Sequence, residues 1–331
     1  MKLKPIEKQV IVITGASSGI GLTTAEMAVA RGARVVLSAR SEADLRETVD
    51  RLNRRGRRAA YVAADIADEG AAQQIADRAV EEFGGFDTWV NNAGVSVYGR
   101  LTDVPMQDKR RVFETNFWGV VYGCKAAVSH LRKRGGAIVN IGSVLSDFSV
   151  PLQGIYSASK HAVKGYTDAL RMELEADRAP ISVTLVKPGA IDTPYTEHAR
   201  NYMAEQPKHQ PPVYPPEEVA HAILRCAERP MREVVVGGGS RLLIALTAMA
   251  PRLADLYMER TLISGQKRPE PARGNDSLYR PSHDARRRGD HPGYVMKSSA
   301  YTRAVVSDAV RAAPFFVFGA IVAATVAAAR R

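Results

Sequence analysis

The chain has 331 residues, 45% hydrophobic and 24% charged, a balance that excludes wholesale disorder, a collagen-like repeat and a polytopic membrane protein and suits one α/β core with an extension. Of its net charge of +11, +7 falls in residues 264–331, where 12 Lys/Arg face 5 Asp/Glu, so the basicity belongs to the tail; with no aromatic-interleaved basic motif, nucleic acid is not an expected partner. Only Cys124 and Cys226 occur, without a CxxC pair, which excludes a disulfide framework or a cysteine-built zinc site and points to a reducing, cytoplasmic compartment.

Met1–Gln9 carries lysines without an apolar stretch, so no secretory signal is expected. Val10–Thr14 is a β-branched run followed by a Gly/Ser turn and helix-favouring residues to Arg31, with Gly32 as the stop. Arg34–Ser38 predicts a strand, Glu42–Arg54 a helix, Ala59–Ala63 a strand, Asp68–Phe83 a helix, Thr88–Asn91 a strand, Asp108–Arg134 one long helix and Ala137–Ile141 a strand. Ile155–Asp177 and Glu217–Glu228 predict two further helices, Ile181–Val186 and Glu233–Val236 two further strands. Strands that alternate with helices need crossover connections, so the predicted fold is α/β, a doubly wound Rossmann-type parallel sheet of about seven strands. Ligands of such sheets bind beyond the carboxyl ends of the strands.

After Gly239 the pattern changes. Leu242–Leu262 is an apolar helical stretch that Pro251 should kink or divide, and it is also suited to lie on a bilayer surface. Residues 264–293 hold four Pro, four Gly and the Arg286–Arg288 run without hydrophobic periodicity, which reads as a linker. The expected division is a catalytic domain over 1–240, an apolar helical segment over 241–263, a basic linker over 264–311 and a possible transmembrane anchor over 312–329. Ala312–Ala329 is 18 residues without a charge. At 1.5 Å per residue it reaches about 27 Å, just under a hydrocarbon core of about 30 Å, and a membrane anchor and a helix docked on protein both stay open.

The turn after the first strand is Thr14-Gly15-Ala16-Ser17-Ser18-Gly19-Ile20-Gly21, a GxxxGxG spacing. Glycines there let the backbone turn sharply and approach a pyrophosphate, whose charge meets the amides of the helix N-terminus. Together with Asn91-Asn92-Ala93-Gly94, Asn116, Ser143, Tyr156-Ser157-Ala158-Ser159-Lys160 and Pro188-Gly189, it resembles the classical short-chain dehydrogenase/reductase family over about residues 8–236. The resemblance implies that Gly15, Ser17, Ser18, Gly19, Ile20 and Gly21 border the cofactor pyrophosphate and adenosine ribose. It puts Asp65 on the adenine amino group with Ile66 beside it, Asn91, Ala93 and Gly94 along the adenosine half, and Pro188, Gly189, Ile191 and Thr193 around the nicotinamide. A turn or helix-cap aspartate remains the alternative for Asp65, and a structural bond between neighbouring strands the alternative for Asn91.

The end of the second strand separates NAD from NADP, since a carboxylate there binds the ribose hydroxyls whereas arginine attracts a 2′-phosphate. The run Leu37-Ser38-Ala39-Arg40-Ser41 has no acid before Glu42, so Arg40 and Ser41 point to NADP(H). Tyr156 and Lys160 are four residues apart and share a helix face, where an ammonium would bring the phenol nearer the working range of a general acid/base. The resemblance implies that Tyr156 exchanges a proton with the substrate oxygen, Ser143 orients that oxygen, Lys160 lowers the Tyr156 pKa and holds the nicotinamide ribose, and Asn116 anchors a water leading to Lys160. No His/Cys/Asp cluster has metal spacing, and His161, Cys124 and Cys226 read as packing residues.

In the family, substrate choice lies in the segments after Ser143 and Pro188-Gly189. Here these include Val144, Leu145, Phe148, Val150, Leu152, Tyr195, Tyr202 and Met203, which suit a small hydrophobic carbonyl or alcohol, with core packing an equal alternative. The expected activity is hydride transfer between NADP(H) and such a substrate. The alternative is a catalytically silent NADP(H)-binding sensor or scaffold, which loss of a catalytic residue would favour. The resemblance also implies a homo-oligomer through the helices that begin near Asp108 and Ile155.

Overall fold

The computed structural model describes residues 2–307. In chain order its elements begin β1 (Val10–Thr14), α1 (Gly19–Ala30), β2 (Arg34–Ala39), α2 (Glu42–Leu52), β3 (Ala59–Ala63), α3 (Ala71–Phe83), β4 (Thr88–Asn91) and β5 (Val97–Tyr98). Next come α4 (Met106–Phe113), a π-helical turn (Glu114–Trp118), α5 (Gly119–Arg134), β6 (Gly136–Ile141), α6 (Gly154–Ala176), β7 (Ile181–Pro188) and β8 (Ala190–Ile191). They are followed by α7 (Tyr195–His198), β9 (Arg200–Asn201), β10 (Glu205–Pro207), β11 (Val213–Tyr214), α8 (Pro216–Glu228) and β12 (Glu233–Val236). The chain continues through α9 (Gly239–Met249), α10 (Pro251–Gly265), β13 (Lys267–Pro271) and α11 (Ala300–Val306).

Seven strands form one sheet in the order β12-β7-β6-β4-β1-β2-β3, with every pairing parallel. The chain winds outward through β2 and β3 on one side of β1 and then through β4, β6, β7 and β12 on the other. The direction reverses between β1 and β4, and a crevice opens beyond their carboxyl ends at such a reversal. Successive side chains of a strand point to opposite faces, and β1 divides accordingly. Ile11 and Ile13 pack with Ala25 and Ala28 of α1 and Val219, Ala222 and Ile223 of α8, while Val10 and Val12 pack with α3, α5 and α6 through Ile75, Leu131 and Val163. Both faces are thus covered, which is why β1, β4, β6 and β7 are buried along their whole length. Each such buried Val, Ile or Leu contributes on the order of 1.5–3 kcal/mol.

Two sequence expectations need correction here. The helix expected over Asp108–Arg134 is interrupted by the π turn Glu114–Trp118, which shifts the hydrogen-bond ladder by one residue without leaving a break in the apolar pattern. The linker expected over 264–311 is, as far as it is described, a packed part of the fold: β13 pairs antiparallel with β10, Leu278 is fully buried, and α11 packs on α8 and β12. Its contacts are backbone carbonyls and ion pairs rather than an apolar stripe, so it carries no periodicity. As expected, the 241–263 stretch divides at Pro251, which opens α10 as its first residue. Ala312–Ala329 lies outside the described residues; among the described residues no helix is long and apolar enough to cross a membrane.

Candidate active site

The glycine turn is shaped by a close approach between the β1 and β4 loops. Gly15 has φ +65°, and a Cβ there would lie 2.6 Å from the Ala93 Cα. Asn92 Nδ2 donates to the carbonyls of Thr14 at 2.9 Å and Gly15 at 3.0 Å, and Thr14 Oγ1 accepts from the amides of Asn92 and Ala93, both at 3.1 Å. Ser18 stands before α1 without capping it through its side chain, so the first amides of the helix face the crevice without a capping oxygen from that residue. A Cβ on Gly21 would meet the Gly15 carbonyl oxygen at 2.2 Å, and backbone cannot yield as a side chain tip can. Gly21→Ala is therefore expected to cost at least 1 kcal/mol, roughly 2–4 °C in melting temperature for a domain of this size, read by calorimetry; an unchanged melting temperature would mean that the turn is looser than described.

Beyond this turn runs a cleft of about 190 Å³ lined by Gly15, Ser17, Ser18, Gly19, Ile20, Arg40, Ser41, Asp65, Ile66, Ala93, Gly94 and Thr193 among others. It contains most of the cofactor residues expected from the sequence, and the glycine approach leaves a cradle that side chains would fill. Asp65 pairs with Arg111 through Oδ2 and accepts from the Ala67 amide at 3.1 Å through Oδ1, so it serves as a turn aspartate while lining the cleft. Asn91 takes the structural alternative. Its Nδ2 donates to Asn140 Oδ1 at 2.8 Å, its Oδ1 accepts from Trp89 Nε1 at 2.7 Å, and its side chain turns into the core instead of the cleft. Arg40 is half-buried and donates to the carbonyls of Ser277 and Leu278, a segment that sequence reasoning did not connect with the site.

A second cavity, of about 580 Å³, is lined by Ser143, Tyr156, Lys160, Pro188, Gly189 and Ile191, and it shares Ile20, Asn92, Gly94, Thr193 and Tyr195 with the cleft. The two adjoin along these residues. Its other walls include the apolar Val144, Leu145, Phe148, Val150, Leu243, Leu246, Tyr257 and Leu262 beside the polar Lys208, Ser240 and Gln266, so α9 and α10 complete a pocket begun by the loop after β6. Leu152, Tyr202 and Met203 do not line this cavity, and Tyr202 instead donates to Asp108 Oδ2 at 2.6 Å. Gln153, His209 and Gln210 also line it; they lie in the segments expected to choose the substrate but were not singled out there, since no motif marks them.

Of the four expected catalytic residues, Ser143, Tyr156 and Lys160 line the second cavity, and Asn116 is buried behind Gly94. Asn116 sits in the π turn, where its Oδ1 accepts from the Val95 amide at 2.8 Å and its Nδ2 donates to the Val95 carbonyl and Ser159 Oγ, both at 3.0 Å. It thereby ties the loop after β4 to α6. Gly94 passes between, where a Cβ would be 3.4 Å from Asn116 Oδ1 and 3.8 Å from Lys160 Nζ. Lys160 Nζ donates to the Ile141 carbonyl at 2.9 Å, and Ser143 opens a short turn whose capping box fixes its backbone.

Burial pushes the Tyr156 phenol up to about 12, against the pull of hydrogen bonds with Ser143 and Tyr195. Burial also brings the Lys160 ammonium down to about 8. The expected acidification of Tyr156 by Lys160 is not what this arrangement gives, because the dry site disfavours both charged forms and Nζ, 5.7 Å from the phenol ring centroid, is directed at a carbonyl. Tyr195 packs edge-on to Tyr156 at 5.5 Å, with its hydroxyl 2.8 Å from Ser96 Oγ and 3.0 Å from Gln153 Oε1. Cys124 and Cys226 are buried, each thiol pushed up to about 12, and His161 Nδ1 lies 2.9 Å from the Ser157 carbonyl, which leaves all three as packing residues. Among the described residues no group of three or more His, Cys, Asp or Glu is arranged to hold a metal ion.

The short chain dehydrogenase family model matches residues 9–204, which include the cleft lining apart from Ser277, Pro281 and Ser282 and the first wall of the cavity. The chain belongs to the short-chain dehydrogenase/reductase family. It is 46% identical over 318 residues to the uncharacterized oxidoreductase YxnA of Bacillus subtilis, covering 95% of this chain and 89% of the relative. It is 35% identical over 194 residues to a 3-ketodihydrosphingosine reductase of Bacteroides thetaiotaomicron, covering 58% of this chain and 68% of that one. A solved short-chain dehydrogenase/reductase from Burkholderia phymatum, in complex with NAD, superposes with a TM-score of 0.66 at 27% identity over 79% of this chain and 97% of its own. As a short-chain dehydrogenase/reductase the protein is an oxidoreductase, and its family match ends well before the segment that touches Arg40.

Proposed function

We propose that this short-chain dehydrogenase/reductase interconverts a hydrophobic carbonyl compound and its alcohol with NADP(H), with Tyr156 as the general acid/base. The observation that carries the reading is the adjacency of the two cavities, with Tyr156, Ser143 and Lys160 on the wall of the second beside the residues the two share. A nicotinamide dinucleotide, when bound, supplies or accepts the hydride at the carbinol carbon. The chain's own residues do the rest. The α1 amides and Ser17 to Ile20 would hold the pyrophosphate, Thr193 and Pro188 to Ile191 would flank the nicotinamide, and Lys160 would hold its ribose. Ser143 would donate to the substrate oxygen while Tyr156 gives it a proton, and the apolar walls would exclude water from the reacting pair.

Arg40 and Ser41 favour NADP(H) over NAD, although the Burkholderia phymatum neighbour was solved with NAD. A cation at that point compensates a 2′-phosphate, and no carboxylate competes for the ribose hydroxyls before Glu42. The cavity walls favour an extended apolar ketone, and the relative named 3-ketodihydrosphingosine reductase lends that substrate class support. A screen of medium- and long-chain ketones for NADPH consumption tests the proposal; turnover of polar sugars and none of the apolar ketones would overturn it. Ser143, Tyr156 and Lys160 on one cavity wall, with Asn116 packed behind Gly94, speak against the silent-sensor alternative. A homo-oligomer and a cytoplasmic catalytic domain remain part of the proposal.

The pH dependence follows from which of the two groups titrates in the working range. Tyr156 stays protonated through neutral pH and is ready to act as an acid, whereas Lys160, brought down to about 8, loses as pH rises the charge with which it would hold the nicotinamide ribose. The rate of ketone reduction is expected to be level from pH 6 to 7 and to fall above pH 8 by up to about tenfold per unit. Lys160→Met should be slower and lack this limb. A limb that persists in Lys160→Met would assign it to another group.

A further inference from the structure

A strap of irregular chain, Asp276 to Gly289, crosses the cleft and is fixed on both banks. On the first, Leu278 is fully buried with Val97, Val104 and Val112, Tyr279 donates to Asp108 Oδ1 at 2.9 Å, and Asp276 pairs with Arg200 at 2.9 Å. On the second, Asp284 meets His198 at 2.9 Å and Arg286 meets Glu197 at 2.8 Å. Between the banks Pro281 and Ser282 line the cleft itself.

The groups the strap occupies are those that face a dinucleotide. Arg40 donates to the carbonyls of Ser277 and Leu278, the Gly19 amide at the start of α1 donates to the Arg286 carbonyl at 2.8 Å, and Ser41 Oγ lies 3.0 Å from His283 Nδ1. Neutral carbonyls thus stand where phosphate oxygens would accept. A guanidinium bonds a phosphate more strongly than a neutral carbonyl, because both partners are then charged.

We infer that the Asp276–Gly289 strap gates the cleft: its backbone carbonyls hold Arg40 and the Gly19 amide, and a dinucleotide enters by displacing them. This rests on the proposed reading of Arg40 as a phosphate ligand. Opening must precede entry, so association is limited by the strap rather than by diffusion, and a 2′-phosphate completes the exchange at Arg40.

The test is stopped-flow nucleotide fluorescence on the full chain, with NADPH and NADH in separate arms. The observed rate is expected to level off with rising NADPH, and the plateau to rise at least tenfold both in Leu278→Ala and in a paired Asp276→Ala/Asp284→Ala variant, which leaves the apolar cluster intact should the first fail to fold. Hydrogen exchange should show strap amides 277–288 losing protection on NADPH saturation. A rate that climbs linearly and is unchanged in the variants, with strap protection unaltered, would overturn the gate. If both nucleotides reach a variant-sensitive plateau but NADPH binds no tighter than NADH, the gate stands and the NADP reading of Arg40 falls.

Discussion

Tyr156→Phe is expected to reduce turnover of an apolar ketone by about 10³-fold while leaving NADPH affinity and melting temperature near their starting values. The substitution keeps the ring that packs edge-on to Tyr195 at 5.5 Å and deletes only the hydroxyl. What is lost is the proton donor, and positioned general acids contribute roughly 10²–10⁴-fold. The nearest other hydroxyls are otherwise engaged: Ser143 would hold the substrate oxygen, and the Tyr195 hydroxyl is bonded to Ser96 Oγ and Gln153 Oε1. Steady-state kinetics beside nucleotide titration checks this. Retained turnover would move the acid elsewhere, and loss of NADPH binding in parallel would show a binding rather than a proton-transfer role.

Arg40→Asp is the second large effect. A hydrogen bond to a charged group is worth about 1.5–3 kcal/mol, and each 1.4 kcal/mol is tenfold in affinity. Removing the cation and placing a carboxylate against the 2′-phosphate should therefore shift the NADPH to NADH preference by about 10²–10³-fold toward NADH. Arg40 also holds the Ser277 and Leu278 carbonyls, so some stability is lost as well. The ratio is insensitive to that loss because both nucleotides are measured on one folded protein. Equal shifts for the two nucleotides would contradict the assignment.

Much of the sheet was legible because most strands are short apolar, β-branched-rich runs between turn residues. Val10–Thr14, Ala59–Ala63, Thr88–Asn91 and Glu233–Val236 begin and end where the pattern predicts. The nucleotide turn and the Tyr156-to-Lys160 spacing were legible for the same reason, since their chemistry is local. Long-range features were not. Asn116 owes its position to a π turn that leaves no mark in the apolar period, and Asn91 is turned inward by Trp89 and Asn140, partners set only by packing. The strap was read as solvated linker because carbonyls and ion pairs fasten it, and its one deep apolar anchor, Leu278, stands alone among prolines, glycines and charges. The pocket likewise needed α9 and α10 folded back over the loop after β6, a closure no motif announces.

The most direct test is a crystal structure of the full chain with NADP⁺. The account predicts the 2′-phosphate on Arg40 with the strap carbonyls withdrawn, the pyrophosphate at Gly19 and Ile20, and the nicotinamide at the junction facing the Tyr156 hydroxyl. A nicotinamide lodged away from Tyr156, or separated from it by protein, would contradict it.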